Sequence, residues 1–172
     1  MFTDLAITQT QGLIFGLLTL PITLWVIYTD LTEQKIKNKA VLAMLAVFVV
    51  AGIFLMPLED YAWRYAHFAI ALAIGFVLSM VGIGAGDVKY AASVAPFVAL
   101  PDLQAVGVLY IGWSVILIVG ILIAWRIPAL RRAYPDWVWF GEAGKGRKSK
   151  IPLGLALAPA ASSYFLLGAI GG

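Results

Sequence analysis

The chain has no cysteine and little charge. The first absence removes disulfides, zinc knuckles, iron–sulfur clusters and thiol nucleophiles from consideration. Aspartate, glutamate, lysine and arginine make up only 12% of the 172 residues, where a soluble domain carries about 25%. Histidine occurs once, at His67, and a lone imidazole makes no metal site. The opening stretch, MFTDLAITQTQG, lacks the basic segment and small-residue cleavage site of a secretory leader. The first apolar run is therefore expected to remain as a helix. A net charge of +3 is too small to point to nucleic acid as a partner. Nothing in the composition asks for a cofactor or a metal.

What remains is apolar. Hydrophobic residues make up 62% of the chain, and the mean hydropathy is +0.95. This predicts an all-α polytopic membrane protein, a single domain over residues 1–172, with the lipid bilayer as its surroundings. A spanning helix needs about 20 mainly apolar residues. Runs at 12–28, 41–57, 63–81, 103–125 and 151–170 qualify, with Pro21 bending the first. A further run, 88–100, is only about half a comfortable length. It must be stretched by Gly86 and Asp87 or be buried in protein, and counting it gives about six transmembrane helices.

The basic residues set an orientation. Lys35, Lys37 and Lys39 lie between the first two spans. Arg126, Arg131, Arg132, Lys145, Arg147, Lys148 and Lys150 lie between the last two, and only Arg64 falls on the other side. The positive-inside rule then puts the loops at about 29–40 and 126–150 in the cytoplasm, and both termini outside. Asp4, Glu59, Asp60 and Asp102 face out. Asp30 and Asp87, distant in sequence, fall on the same cytoplasmic face.

Asp30 sits in IYTDLTEQKIKNK and Asp87 in GIGAGDVK. An ionisable residue deep in a membrane costs about 2.5–3.5 kcal/mol, and less near the interface. Taken singly, Asp30 reads equally well as a helix-end carboxylate and Asp87 as a cap on the next helix. Taken together, they suggest chemistry. Two close carboxylates share a proton, so one can take a proton from water while the other protonates a scissile carbonyl oxygen or leaving amine. Gly84 and Gly86 would let backbone approach a substrate, and a positive φ is open to both. An extended substrate could lie against them. The glycines do not make a nucleotide fingerprint, which needs a preceding strand in a βαβ unit.

GAGDVK at residues 84–89 resembles the Gly-x-Gly-Asp-x-Lys motif of type IV prepilin peptidases, a family of Gly-x-Gly-Asp intramembrane aspartyl proteases. Two further stretches carry the resemblance. DLTEQKIKNKAV is similar to the family's Asp, short polar stretch and Ile-Pro-Asn. KIPLGLALAPA is similar to its final helix, which opens Ile-Pro-Tyr/Phe-Gly. The motifs come in the family's order and span most of residues 25–165. The resemblance implies an aspartic endopeptidase of the inner membrane that cleaves the short basic leader of a prepilin-like precursor, just before its hydrophobic helix. Asp30 and Asp87 map onto the catalytic pair. The short, cysteine-free chain is similar to the peptidase-only form that serves Flp-type, tight-adherence pili, without the cytoplasmic N-methyltransferase region.

Two positions depart from the pattern: Lys37 replaces the proline of Ile-Pro-Asn, and Leu153 the aromatic after Ile-Pro. The proline would help open the second helix. Lys89 reads as an interfacial anchor that also approaches Asp87 and lowers its pKa or docks substrate. Asn38, Pro152 and Gly154 read as architectural support, Pro152 in a first helical turn and Gly154 allowing close helix packing. His67 reads as structural. In the 126–150 loop, Trp137, Trp139 and Phe140 suit headgroup depth. Glu33, Asp136 or Glu142 would suit a basic leader.

Two other readings share these residues. One is the same chemistry on an archaellin-type or other leader. The other is a non-enzymatic membrane scaffold or transport subunit with a buried acid pair, which would need a water-lined path to both faces.

Overall fold

The computed structural model describes residues 4–134 and 153–171. All of its elements are helical. In chain order they are α1 (Gln9–Glu33), α2 (Asn38–Leu55), α3 (Leu58–Met80), α4 (Ala85–Val94), α5 (Leu103–Arg126), α6 (Pro128–Ala133) and α7 (Leu153–Gly171). Two single 3-10 turns, Ala95–Phe97 and Leu100–Asp102, lie between α4 and α5. Five helices are long and apolar enough to cross a membrane: α1, α2, α3, α5 and α7. The chain is an all-α, polytopic membrane protein. Pro21 lies within α1, which continues past it to Glu33.

The sixth expected span takes a different form. Asp102 meets the backbone before α1, whereas Asp87 lies at the far end of the bundle with the end of α1. Along α1 that separation is about 34 Å, but an α-helix over 87–102 would cover only about 22 Å. Pro96 and Pro101 end regular helix here, since proline brings no N–H to the ladder. Val98 and Ala99 are extended, at φ −90°, ψ 124° and φ −70°, ψ 142°. Extended residues rise about twice as far per residue as helical ones, and 3-10 residues about a third further, so the segment recovers part of that difference. Irregular backbone at this depth survives only inside protein, and Val94, Pro96, Phe97, Val98 and Ala99 are buried. The short run is thus both stretched and enclosed.

Phe97 anchors this segment. Its ring meets Phe15 of α1 at 4.9 Å, Phe48 of α2 at 5.3 Å and Phe165 of α7 at 5.6 Å, all edge-on. Each such pair contributes about 0.5–1.5 kcal/mol. Between helices in lipid, packing of this kind replaces the hydrophobic drive. Close approach of α1 and α7 depends on Gly12, where an added Cβ would fall 2.5 Å from the Ala169 backbone nitrogen. At Gly75 it would fall 2.2 Å from Val88 Cγ1, so α3 lies directly on α4. The outer helices α3 and α5 bury little of themselves within the bundle.

The end of the bundle remote from Asp87 is closed by a polar cluster. Asp102, expected as an outward-facing acid, is buried at 3% exposure. Its carboxylate accepts the N–H groups of Ala6 (2.8 Å) and Ile7 (3.1 Å) and the hydroxyl of Tyr164 (2.7 Å). Ala99 N–H donates to the same hydroxyl at 3.4 Å. One carboxylate therefore joins the chain before α1, the broken segment and α7. Asp102→Ala should destabilise the protein by at least about 2 kcal/mol, because each buried group left unsatisfied costs about 1–3 kcal/mol. Thermal unfolding in detergent checks this; an unchanged midpoint would contradict the joining role.

Candidate active site

Asp30 occupies the last turn of α1 and is only 4% exposed. Its backbone carbonyl accepts the N–H of Gln34 at 3.1 Å, and Gln34 ends the helix in the left-handed region, φ 51°. The helix runs past Asp30, so this carboxyl faces the bundle rather than water.

Asp87 reaches the same end from α4. The residue at the cap of α4 is Gly84, and Asp87 lies three positions on, in the first turn. The capping reading of Asp87 is thereby corrected. The positive φ anticipated at Gly84 or Gly86 falls instead at Gly82, φ 106°, while Gly84 has φ −63°. Gly82 makes the turn from α3 into α4. Of the two later glycines, Gly84 serves close approach. An added Cβ on Gly84 would lie 2.6 Å from Asp87 Oδ2, so the carboxylate folds back over it. Gly86 faces Ile36 of the α1–α2 link, which an added Cβ would meet at 3.5 Å. The face expected for an extended substrate is thus covered by the chain's own Ile36.

α7 arrives from a third direction. Gly154 N–H donates to Asp87 Oδ1 at 2.8 Å. The next amide, of Leu155, lies beside the buried Asp30 carboxyl, and Asp87 is close enough to interact with it electrostatically. Two successive backbone amides thus address two carboxylates from different helices. Asp30 Oδ2 is buried and has no hydrogen-bond partner among the described residues.

Asp87 also lines a groove of about 390 Å³. Its other walls are Ile74 and Leu78 of α3, Ile83, Val88, Tyr110 of α5 and Leu157 of α7, with Ala71, Gly75 and Ala91. The groove is apolar apart from Asp87 and the Tyr110 hydroxyl, and α3 and α5 do not pack on each other along their lengths.

Of the other expected residues, Lys89 is exposed and lines a separate groove with Phe68, Leu72 and Phe76 of α3. Two residues along a helix is about 200° of rotation, which turns it from the face bearing Asp87. Asn38 opens α2 and is exposed. Lys37 caps α2 with φ −72°, a value proline itself adopts, and its ammonium pairs with Glu33. The backbone shape expected of the missing proline is retained, with an ion pair in its place. Pro152, Asp136, Glu142, Trp137, Trp139 and Phe140 lie outside the described residues. His67 Nδ1 is 3.2 Å from the Val98 carbonyl oxygen. Among the described residues, no three His, Cys, Asp or Glu side chains gather as a metal would need.

The places of Tyr110, Ile36 and the Leu155 amide at the site are not legible in the sequence. Tyr110 lies in an apolar run with no motif around it, while Ile36 is the isoleucine of the IKN stretch, whose side-chain neighbours come from other helices. The Leu155 contribution is a backbone amide, which no side-chain pattern reports.

The fold is that of a polytopic helical membrane protein with two carboxylates brought together at one end of its bundle. The chain belongs to the type IV leader peptidase family, whose model matches residues 17–128. That match includes Asp30 and Asp87 and stops before α7. No curated protein and no solved structure matches the chain.

The turn into Asp87 yields a test. A side chain at φ 106° is strained by about 1–2 kcal/mol. Gly82→Ala should lower stability by that amount in a detergent unfolding series, although nothing lies within 4 Å of the added methyl. A neutral result would mean the turn relaxes freely.

Proposed function

We propose that the protein is a membrane-embedded aspartyl endopeptidase that removes the short basic leader of a prepilin-like precursor at the cytoplasmic membrane face. The family assignment makes it a leader-peptidase-type protease. The observation that carries the finer reading is the approach of Asp30 and Asp87 to successive amides of α7. In the proposed reaction, one ionised carboxylate takes a proton from water as the oxygen attacks the scissile carbonyl carbon. The other carboxyl gives its proton to the carbonyl oxygen. Collapse of the tetrahedral intermediate breaks the C–N bond as the proton taken from water passes to the leaving amine, and a hydroxyl proton of the intermediate returns to the second carboxylate. No metal or cofactor takes part in this scheme. Hydrolysis is the only activity we assign, over a single domain comprising the described helices.

The groove beside Asp87 supports a substrate with an apolar helix. It is apolar, flanked by α3 and α5, and ends at the carboxylate. Cleavage next to the start of a hydrophobic helix would put the scissile bond at that point. The orientation rests on charge: Lys35, Lys37, Lys39 and Arg126 lie at the Asp30 end, which the positive-inside rule assigns to the cytoplasm. The inner membrane follows from the same reading. A prepilin leader and an archaellin-type leader share this chemistry, and a panel of precursors separates them. Transport is less well supported, because Phe15, Phe48, Phe97 and Phe165 fill the core between the Asp30–Asp87 end and the Asp102 end.

Asp30→Asn and Asp87→Asn should each abolish cleavage of a co-expressed prepilin-like precursor while the protein remains monodisperse in detergent. Normal processing by either variant would overturn the assignment.

A further inference from the structure

Ile36, the isoleucine of the IKN stretch before α2, touches both glycine-bearing elements that hold Asp87. It lies half-buried in the link 34–37 between α1 and α2. On one side its Cβ and backbone meet Gly86. On the other, a Cβ added to Gly154 would fall 2.5 Å from Ile36 Cδ1 and 3.2 Å from Ile36 Cγ1. That same Cβ would fall 3.0 Å from Asp87 Oδ1, the oxygen that accepts the Gly154 N–H at 2.8 Å. Ile36 therefore fills the space between the turn that presents Asp87 and the amide that holds it.

We propose that Ile36 and Gly154 form a positioning pair: the Ile36 side chain wedges α4 and α7 at the spacing that keeps the Gly154 N–H on Asp87. This rests on the aspartyl reading of the site. Glycine at 154 is then required twice over, once by Ile36 and once by the carboxylate. The two requirements are separable, because a change at Ile36 relieves one and leaves the other. Simple helix packing would impose only the first. Gly86 faces the same residue at ordinary contact distance, 3.5 Å from Ile36 Cβ for an added Cβ.

The test uses the full-length protein in detergent and a purified prepilin-like precursor with a tagged basic leader and its hydrophobic helix. Ile36→Ala should lower kcat about 10-fold with KM little changed, since the carboxylate is misplaced while the groove for the substrate helix stays intact. Gly154→Ala should lower kcat by about 100-fold or more. The double variant Ile36→Ala/Gly154→Ala should recover part of the loss of Gly154→Ala, yet stay well below Ile36→Ala, because the added methyl still crowds Asp87 Oδ1. Ile36→Val, which keeps the branch at Cβ, should retain most of the activity.

Wild-type kcat in Ile36→Ala would overturn the proposal. So would full recovery of the double variant to the level of Ile36→Ala, which would reduce Gly154 to a packing residue, or no recovery at all. Each of these outcomes, with Asp30→Asn and Asp87→Asn inactive, leaves the peptidase reading standing. Activity in the two aspartate variants would instead remove that reading.

Discussion

A carboxylate inside a membrane protein has to find its hydrogen bonds within the protein, since lipid offers none. Here the donors are the first free amides of α7. The opening turn of any helix leaves N–H groups without intrahelical partners, and those of Gly154 and Leu155 point at the acids carried by α4 and α1. One orphaned helix end thus meets the needs of two acids. The arrangement fixes where α1, α4 and α7 must stand, because a backbone amide cannot reach out as a long side chain can. Glycine at 154 follows from that close approach, and glycine at 84 from the Asp87 carboxylate folded back over it.

The broken fourth crossing serves the same end. A full-length helix through residues 85–102 would have no need of a turn so close to the acid. Shortening α4 and stretching the segment after it leaves a helix start, with Asp87 in its first turn, inside the bundle. The stretched part survives because Phe97 is clasped by three other phenylalanines and because Asp102 gathers the backbone at the far end. Each end of the bundle thus has its own buried carboxylate site, with aromatic packing between them. The far-end site holds the scaffold, and the near-end site carries the candidate chemistry.

Much of this could be read from the residues. The long apolar runs gave five spans directly, and the lysines and arginines gave a polarity to the bundle. The length of 88–100 was itself the clue that the segment is stretched and enclosed. Asp30 and Asp87 could be put at one end by counting crossings. The local details could not. Whether φ turns positive at Gly82 or Gly84 depends on how α3 ends, which a run of glycines does not reveal. Lys89 was placed near Asp87 by sequence adjacency, but helical rotation carries it to another face. The burial of Asp102 is not legible in the sequence, because its partners are backbone groups and a tyrosine far along the chain. Ile36 lies in the IKN stretch, but its packing role is not legible there, since its neighbours, Gly86 and Gly154, come from two other helices.

The central claim is that Asp30 and Asp87 form one site. The chain has no native cysteine, so a pair of introduced thiols can report proximity without background. In membranes, Asp30→Cys/Asp87→Cys treated with a short bismaleimide should take up one linker per chain and lose both thiols, as read by intact mass. Asp30→Cys/Asp102→Cys, spanning the two ends of the bundle, should take up two singly attached linkers. Bridging of the second pair, or failure to bridge the first, would contradict the account.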